Sequence, residues 1–281
     1  MLIRKNLELG RALRVSAWRK ISIGSWKNTG DSTVYGLTQL DAEAALQYLE
    51  EARQKSGLKI TMTHLIGKVL AETYQRHPDM NVIGRWGRVY PRKNIDIFFQ
   101  VAMDDSGEDL SGAVVRKADQ KSLEQICADL SQSSKTMRGG NDLTFKKIKK
   151  NLKLVPGFLL PFMVRFTDFL LNDLNIWMPF VGTPPDSFGS VMVTSIGSLG
   201  LSDIAFAPIP KFSRLPMLLC VGAVHEAPVV RNGQVAVGKI INLTISFDHR
   251  FLDGVAAGRM LRTFRDLFHY PEKLESIGHI D

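Results

Sequence analysis

Apolar residues recur at two spacings along this chain, and the alternation between them divides it into elements. Residues 39 to 54, QLDAEAALQYLEEARQ, carry apolar positions three and four apart behind an aspartate able to cap a first turn, and Gly57 ends the pattern. This predicts a helix. A second is predicted from Thr61 to Arg76, stopping before Pro78, and a third from Lys121 to Met137, closed by Gly139 and Gly140. Asn94 to Met103 and Gly112 to Arg116 are rich in β-branched and aromatic residues, and the turn-like Asp104, Asp105, Ser106 and Gly107 lie between them. They read as a hairpin. Val191 to Ser195 and Pro216 to Val224 predict strands, and Gln234 to Phe247 predicts two more after the Asn232 and Gly233 turn. Val255 to Phe268, with Met260, Leu261, Phe264 and Leu267 at helical spacing, predicts a closing helix. No repeat or low-complexity linker interrupts the series, so residues 1–281 are expected to form one mixed α/β domain.

One stretch departs from this order. Leu152 to Val181 is apolar enough to raise the question of a membrane span, which needs about 20 nearly uninterrupted apolar residues. Pro156, Pro161, Arg165, Asp168, Asn172 and Asp173 break it, so a span is rejected and a buried or interfacial amphipathic segment is left. The insertion from about Gly140 to Pro185 is expected to be helical and packed over the domain. Its residues Phe158, Phe162, Phe166, Phe169, Trp177 and Phe180 are each worth roughly 1.5–3 kcal/mol when buried. Membrane contact is therefore not expected.

The formal charge is +8, with basic and acidic residues interleaved except at Lys146, Lys147, Lys149, Lys150 and Lys153. Such a run is ordinarily a solvated face, and its other uses are a phosphate-bearing ligand, an acidic partner or an anionic membrane. No nucleic-acid partner is expected. The two cysteines, Cys127 and Cys220, fall in a helical and a strand-like pattern and suggest neither a disulfide framework nor a thiolate metal site. The basic N-terminus lacks the continuous apolar stretch of a secretory signal, which makes a cytoplasmic address the expectation.

Of six histidines, His64, His77, His225, His269 and His279 have ordinary settings. His249 sits in SFDHRFLDG, where a strand ends among two carboxylates, a guanidinium and a glycine. A strand end holds a side chain rigidly while presenting it to a ligand. Asp248 is an unlikely partner for it, because neighbours in a strand point to opposite faces. Asp253 is better placed, since a helical turn brings position i+4 back beside position i, and Gly254 would supply backbone freedom at the junction. A satisfied surface turn could carry the same residues. Motifs for a nucleophile elbow, a zinc helix, a P-loop and a dinucleotide turn are all absent, and no metal site is expected.

The motif Ser246 to Gly254 resembles the D-H-R-x-x-D-G signature of the dihydrolipoyl acyltransferases of 2-oxoacid dehydrogenase complexes, whose H-x-x-x-D-G core is shared with chloramphenicol acetyltransferase. Val114 to Leu130, VVRKADQKSLEQICADL, resembles that family's V-I-R-x-A-D-x-K-S-L segment, and GSVMVTSIG at 189–197 resembles its G-T-F-T-I-S-N-L-G strand. Pro208 to Val230 resembles its proline-containing strand with a P-V-V ending. The likeness covers roughly residues 14 to 275 around one large insertion, and four segments in order are far more specific than one.

The resemblance implies an α/β, chloramphenicol acetyltransferase-like two-layer sandwich on a mixed sheet, with a helical insertion at about 140–185. It implies a CoA-dependent acyltransferase in which His249 takes the proton from a thiol and Thr194, at the position of the family's serine, donates to the oxyanion. Ser195 stands where the family has asparagine, which leaves the local hydrogen-bond network open. Asp253 is given a structural, charge-pairing role, with Arg250 or Arg19 as partner. Coenzyme A is implied as a substrate, and a lipoyl group would be supplied in trans by a separate lipoyl-bearing protein. The sequence shows neither a lipoyl domain nor a subunit-binding domain, and no Asp-Lys dipeptide of the lipoyl attachment type. A homotrimer with its site between subunits is implied, without a larger core because the chain ends in the polar PEKLESIGHID. A CoA-dependent transferase for a small amine or alcohol acceptor, and a non-catalytic scaffold, remain as alternatives.

Overall fold

In the computed structural model, residues 4–16, 31–102, 110–138, 156–177, 184–203 and 209–274 are described. Among them, a seven-stranded mixed sheet carries helices on one face. In chain order the elements are β1 (Arg4–Lys5), β2 (Thr33–Asp41), α1 (Glu43–Ser56), α2 (Met62–Arg76), the hairpin β3 (Val82–Arg85) and β4 (Arg88–Pro91), β5 (Ile97–Ala102), β6 (Leu110–Val115) and α3 (Leu123–Arg138). There follow α4 (Leu160–Asp168), β7 (Ile176–Trp177), β8 (Val191–Ser195), β9 (Met217–Val221), β10 (His225–Arg231), β11 (Gln234–Asp248) and α5 (Gly254–His269).

The sheet runs β10-β11-β9-β8-β5-β6, with β2 on the other side of β11. Only β5 with β8 and β8 with β9 pair in parallel. The long β11 organises everything near the site: β10 pairs with its first half, β9 and β2 with its second. Asn232 and Gly233 both have positive φ (54° and 78°), as a two-residue hairpin turn requires, and they set the β10–β11 register. The core forms where Ile241, Leu243 and Phe247 of β11, Leu219 and Val221 of β9, and Val191 and Val193 of β8 meet Leu65, Val69 and Leu70 of α2 and Met260, Phe264 and Leu267 of α5. Cys127 and Cys220 are small buried residues, as expected.

Several elements differ from the sequence expectations. Gln39 to Asp41 belong to β2, and α1 begins only at Glu43. The full backbone ladder with β11 outweighs the helical pattern those residues share with α1. Gln234 to Phe247 is part of one strand rather than two, and its antiparallel partner is the segment just before the turn. The β3–β4 hairpin was not anticipated, because neither strand exceeds four residues. Gly57 ends α1 with φ 68°, as predicted. Gly139 and Gly140 lie outside the described residues.

His64 fills the structural place expected of it. Its Nδ1 accepts from the Thr61 backbone N–H at 2.9 Å, closing the first turn of α2, and that role requires an unprotonated nitrogen. Burial pushes the imidazole down from 6.5 to about 4. The unfolded chain therefore binds this proton more readily, so the stabilisation is full above pH 6.5 and declines as pH falls toward 4. Urea unfolding of the wild type should weaken more between pH 7.5 and 4.5 than that of His64→Gln; equal pH dependence in both would refute the assignment.

Candidate active site

β11 ends at Asp248, and the turn after it presents His249. The His249 backbone N–H donates to Ser32 O at 2.9 Å, and the imidazole stacks against Phe247, ring centroids 6.2 Å apart. Asp248 is buried and occupied elsewhere. It accepts from Ser32 Oγ at 2.8 Å, from the Arg250 backbone N–H at 3.0 Å, and from the Arg250 guanidinium at 2.6 Å. This carboxylate ties the approach to β2 to the histidine turn and fixes the backbone on both sides of the imidazole. The strand argument that set Asp248 apart from His249 accords with these contacts.

Asp253 is the N-cap of α5, accepting from the Ala256 backbone N–H at 2.9 Å. Of its two candidate partners, Arg250 is taken by Asp248, which lies two residues away and holds the guanidinium in a fork. Arg19 lies outside the described residues. Gly254 does not supply the expected backbone freedom, since it has no left-handed φ and a Cβ there would meet nothing within 4 Å.

Thr194 lies on β8, half-buried, with Ser195 after it. A clamp that sequence reading missed fixes the approach to this strand. Arg116, in the VVRKAD segment, pairs with Asp96 at 2.9 Å and donates to Pro185 O at 2.7 Å and Asp186 O at 3.0 Å. Arg92 holds the Asp186 carboxylate at 2.6 Å. Gly189, with φ 65°, passes so close to Asp96 that a Cβ would lie 2.4 Å from its carbonyl oxygen, so only glycine fits. The arginine inside the family-like motif was the available signal; its carbonyl partners are distant in sequence.

Within one chain the structure does not bring Thr194 and His249 together. Thr194 pairs in register with Cys220, and Cys220 with Thr244. His249 is five residues further along β11, a displacement of about 16 Å at roughly 3.3 Å per residue, added to two strand spacings of about 4.8 Å each. An oxyanion donor lies about 3 Å from the carbonyl oxygen and a general base about 3 Å from the nucleophile that attacks that carbonyl, a closeness that His249 and Thr194 of one chain do not have.

Beside the histidine turn opens a cavity of about 530 Å³, walled by Ser32, Asp248, Arg250 and Phe251 on one side and by Val164 and Arg165 on the other. Arg214 joins the walls, pairing with Asp168 at 2.6 Å and Asp173 at 2.8 Å. No cluster able to hold a metal ion occurs among the described residues.

A family model, "2-oxoacid dehydrogenases acyltransferase (catalytic domain)", matches residues 24–149 and 187–275. Among curated proteins, the lipoamide acyltransferase component of the branched-chain alpha-keto acid dehydrogenase complex of Bacillus subtilis is 24% identical over 80% of this chain and 43% of its own length. The dihydrolipoyllysine-residue acetyltransferase component of the Rhizobium meliloti pyruvate dehydrogenase complex is 24% identical over 83% of this chain and 43% of its own length. The chain thus spans under half of these relatives. Among solved structures, a probable dihydrolipoamide acetyltransferase from Listeria monocytogenes superposes with TM-score 0.63 at 19% identity, covering 97% of both chains. A chloramphenicol acetyltransferase superposes with TM-score 0.51 at 12% identity, covering 90% of this chain and 96% of its own. These likenesses show the fold expected from the sequence.

Removing the cap on α5 should destabilise the protein by about 1 kcal/mol, since loss of an N-cap oxygen costs roughly 0.5–2 kcal/mol. Asp253→Ala should lower the urea midpoint accordingly and Asp253→Asn should largely restore it. An alanine variant as stable as wild type would show that the cap contributes nothing.

Proposed function

Because the chain belongs to the 2-oxoacid dehydrogenase acyltransferase catalytic-domain family, we propose that it is a CoA-dependent acyltransferase. It moves an acyl group between CoA and a thiol such as a dihydrolipoyl group carried by another protein. His249 removes the proton from the attacking thiol, and the thiolate adds to the thioester carbonyl carbon. Thr194 donates its hydroxyl hydrogen to the oxyanion that forms. As the carbon–sulfur bond of the tetrahedral intermediate breaks, His249 returns its proton to the departing thiolate. Asp248 and Asp253 position the turn rather than react, one through Arg250 and Ser32, the other through the α5 cap.

The observation that carries this reading is the placement of His249 and Thr194 at opposite ends of one sheet on the acyltransferase fold. Two groups too far apart in one chain can meet only between chains. A closed ring that sets the β11 end of one subunit against the β8 end of the next completes every site, and a homotrimer is the ring we propose. The cationic cavity beside the histidine turn suits a phosphate-bearing substrate such as CoA. Residues of about 140–185 are an insertion in this scheme, supported by the break in the family match between 149 and 187.

His249→Ala should lower acyl transfer between CoA and dihydrolipoamide by about 10²–10⁴-fold without unfolding the protein. Wild-type turnover by this variant would remove His249 from the mechanism. Thr194→Val should cost about 10²–10³-fold while Thr194→Ser is tolerated, and equal activity of the two would move the oxyanion donor elsewhere.

The split site has its own test. Co-expression of the His249→Ala and Thr194→Val chains should regenerate activity far above either alone, because roughly one interface in four then joins an intact histidine to an intact threonine. Activity no greater than the sum of the two variants would place both residues in one subunit's site.

A further inference from the structure

Among the described residues, the segment 156–177 is tied to the domain by polar contacts and by the β1–β7 pairing, yet several of its aromatic residues stay in solvent. Arg214 forks onto Asp168 and Asp173, and the backbone oxygen of Asp173 accepts from Arg85 at 2.6 Å and from Trp86 Nε1 at 2.9 Å. These bonds fix residues 160–173 against the β3–β4 hairpin and the 211–214 turn. Yet Phe158 is 80% exposed, Phe162 67% and Phe166 52%, and Trp86 at the hairpin tip is 62% exposed. The three phenylalanines are four residues apart and form one stripe, with the Phe162 and Phe166 rings stacked at 6.2 Å. Trp86 extends the stripe through an edge contact with Phe169 at 6.0 Å. Phe158, Phe162 and Phe166 do not pack over the domain as the sequence leads one to expect, whereas Leu160, Leu170 and Trp177 are half-buried, and the exposed ones remove the ground for expecting no membrane contact.

We propose that this face docks on the surface of an anionic lipid bilayer, with its rings in the headgroup and upper acyl region. Charge selects this occupant. Residues 82–91 and 156–177 together contain two acids, Asp168 and Asp173, and both are paired with Arg214. The exposed charges beside the stripe are mainly cationic, Arg88, Arg165 and Lys211, and the one exposed acid across the adjoining cavity, Asp31, lies under the field of Lys211 and Arg250. Exposed aromatics flanked by cations, without unpaired carboxylates, are the composition of a segment lying in the membrane interface. The described helices include none long and apolar enough to cross a membrane, so the contact is peripheral.

The test uses the full chain with vesicles of phosphatidylcholine alone and of phosphatidylcholine with phosphatidylglycerol. Co-sedimentation should occur with the anionic vesicles, weaken at least tenfold with the neutral ones, and be accompanied by a blue shift of tryptophan emission that Trp86→Tyr diminishes. Phe158→Asp with Phe162→Asp should lower vesicle partitioning at least tenfold while circular dichroism and acyl transfer remain unchanged. Failure of the wild type to bind, or undiminished binding by the double variant, would overturn the proposal. So would a light-scattering mass that falls in the double variant without vesicles, because the stripe would then be a contact between copies of this chain.

Discussion

Every feature of the site depends on the register of β11. The strand is long enough to pair with β10 over its first half and with β9 and β2 over its second, so it cannot slip by one residue without turning Ile241, Leu243 and Phe247 out of the core. That constraint fixes where Asp248 ends the ladder, and therefore where His249 leaves it. It fixes the level of Thr194 as well, through two further registers across β9 and β8. The backbone separation of His249 and Thr194 is thus a property of the sheet.

At the end of the sheet where β11 stops and β8 begins, two buried carboxylates, each with an arginine, convert strand position into side-chain position. Asp248 with Arg250 and Ser32 holds the histidine turn; Asp96 with Arg116 holds the loop that enters β8. Such pairs contribute little net stability, because desolvation of the charges offsets their attraction. Their effect is geometric. Both carboxylates also accept backbone hydrogen bonds, Asp248 from Arg250 and Asp96 from Lys117 at 2.8 Å, so that removing either one frees main chain as well as charge.

What the sequence made legible was chemistry concentrated in few residues and periodicity sustained over many. SFDHRFLDG packs an imidazole and two carboxylates into a strand end, and α2, α3 and α5 repeat their apolar face over four turns. Less was legible where the deciding contact is remote. Arg250 reaches Asp248 or Asp253 with equal ease in sequence, and only the bend after β11 selects the former. Gln39 to Asp41 match a helix as well as a strand until β11 supplies a ladder. β10, with Pro228 and alternately exposed side chains, has the pattern of an edge strand, and such strands lack the continuous apolar run that marks a buried one. The aromatic stripe at 158–166 reads by composition as core, although composition records only that such side chains need cover and not what provides it.

Arg214 links the segment 156–177 to the strands that place the histidine turn. Arg214 lies just after the turn that walls the cavity and leads into β9, whose register with β11 places the turn itself. By pairing with Asp168 and Asp173 it makes the α4 side of the cavity and the β9 side a single rigid body. Burial opposes the charge of Arg214, but the two carboxylates more than offset that, and its pKa is raised. Arg214 therefore keeps its charge in the latch. A cavity wall carried by residues 164–173 and locked to the core through Arg214 lets the residues that face the cavity vary without disturbing the strand register that places His249 and Thr194.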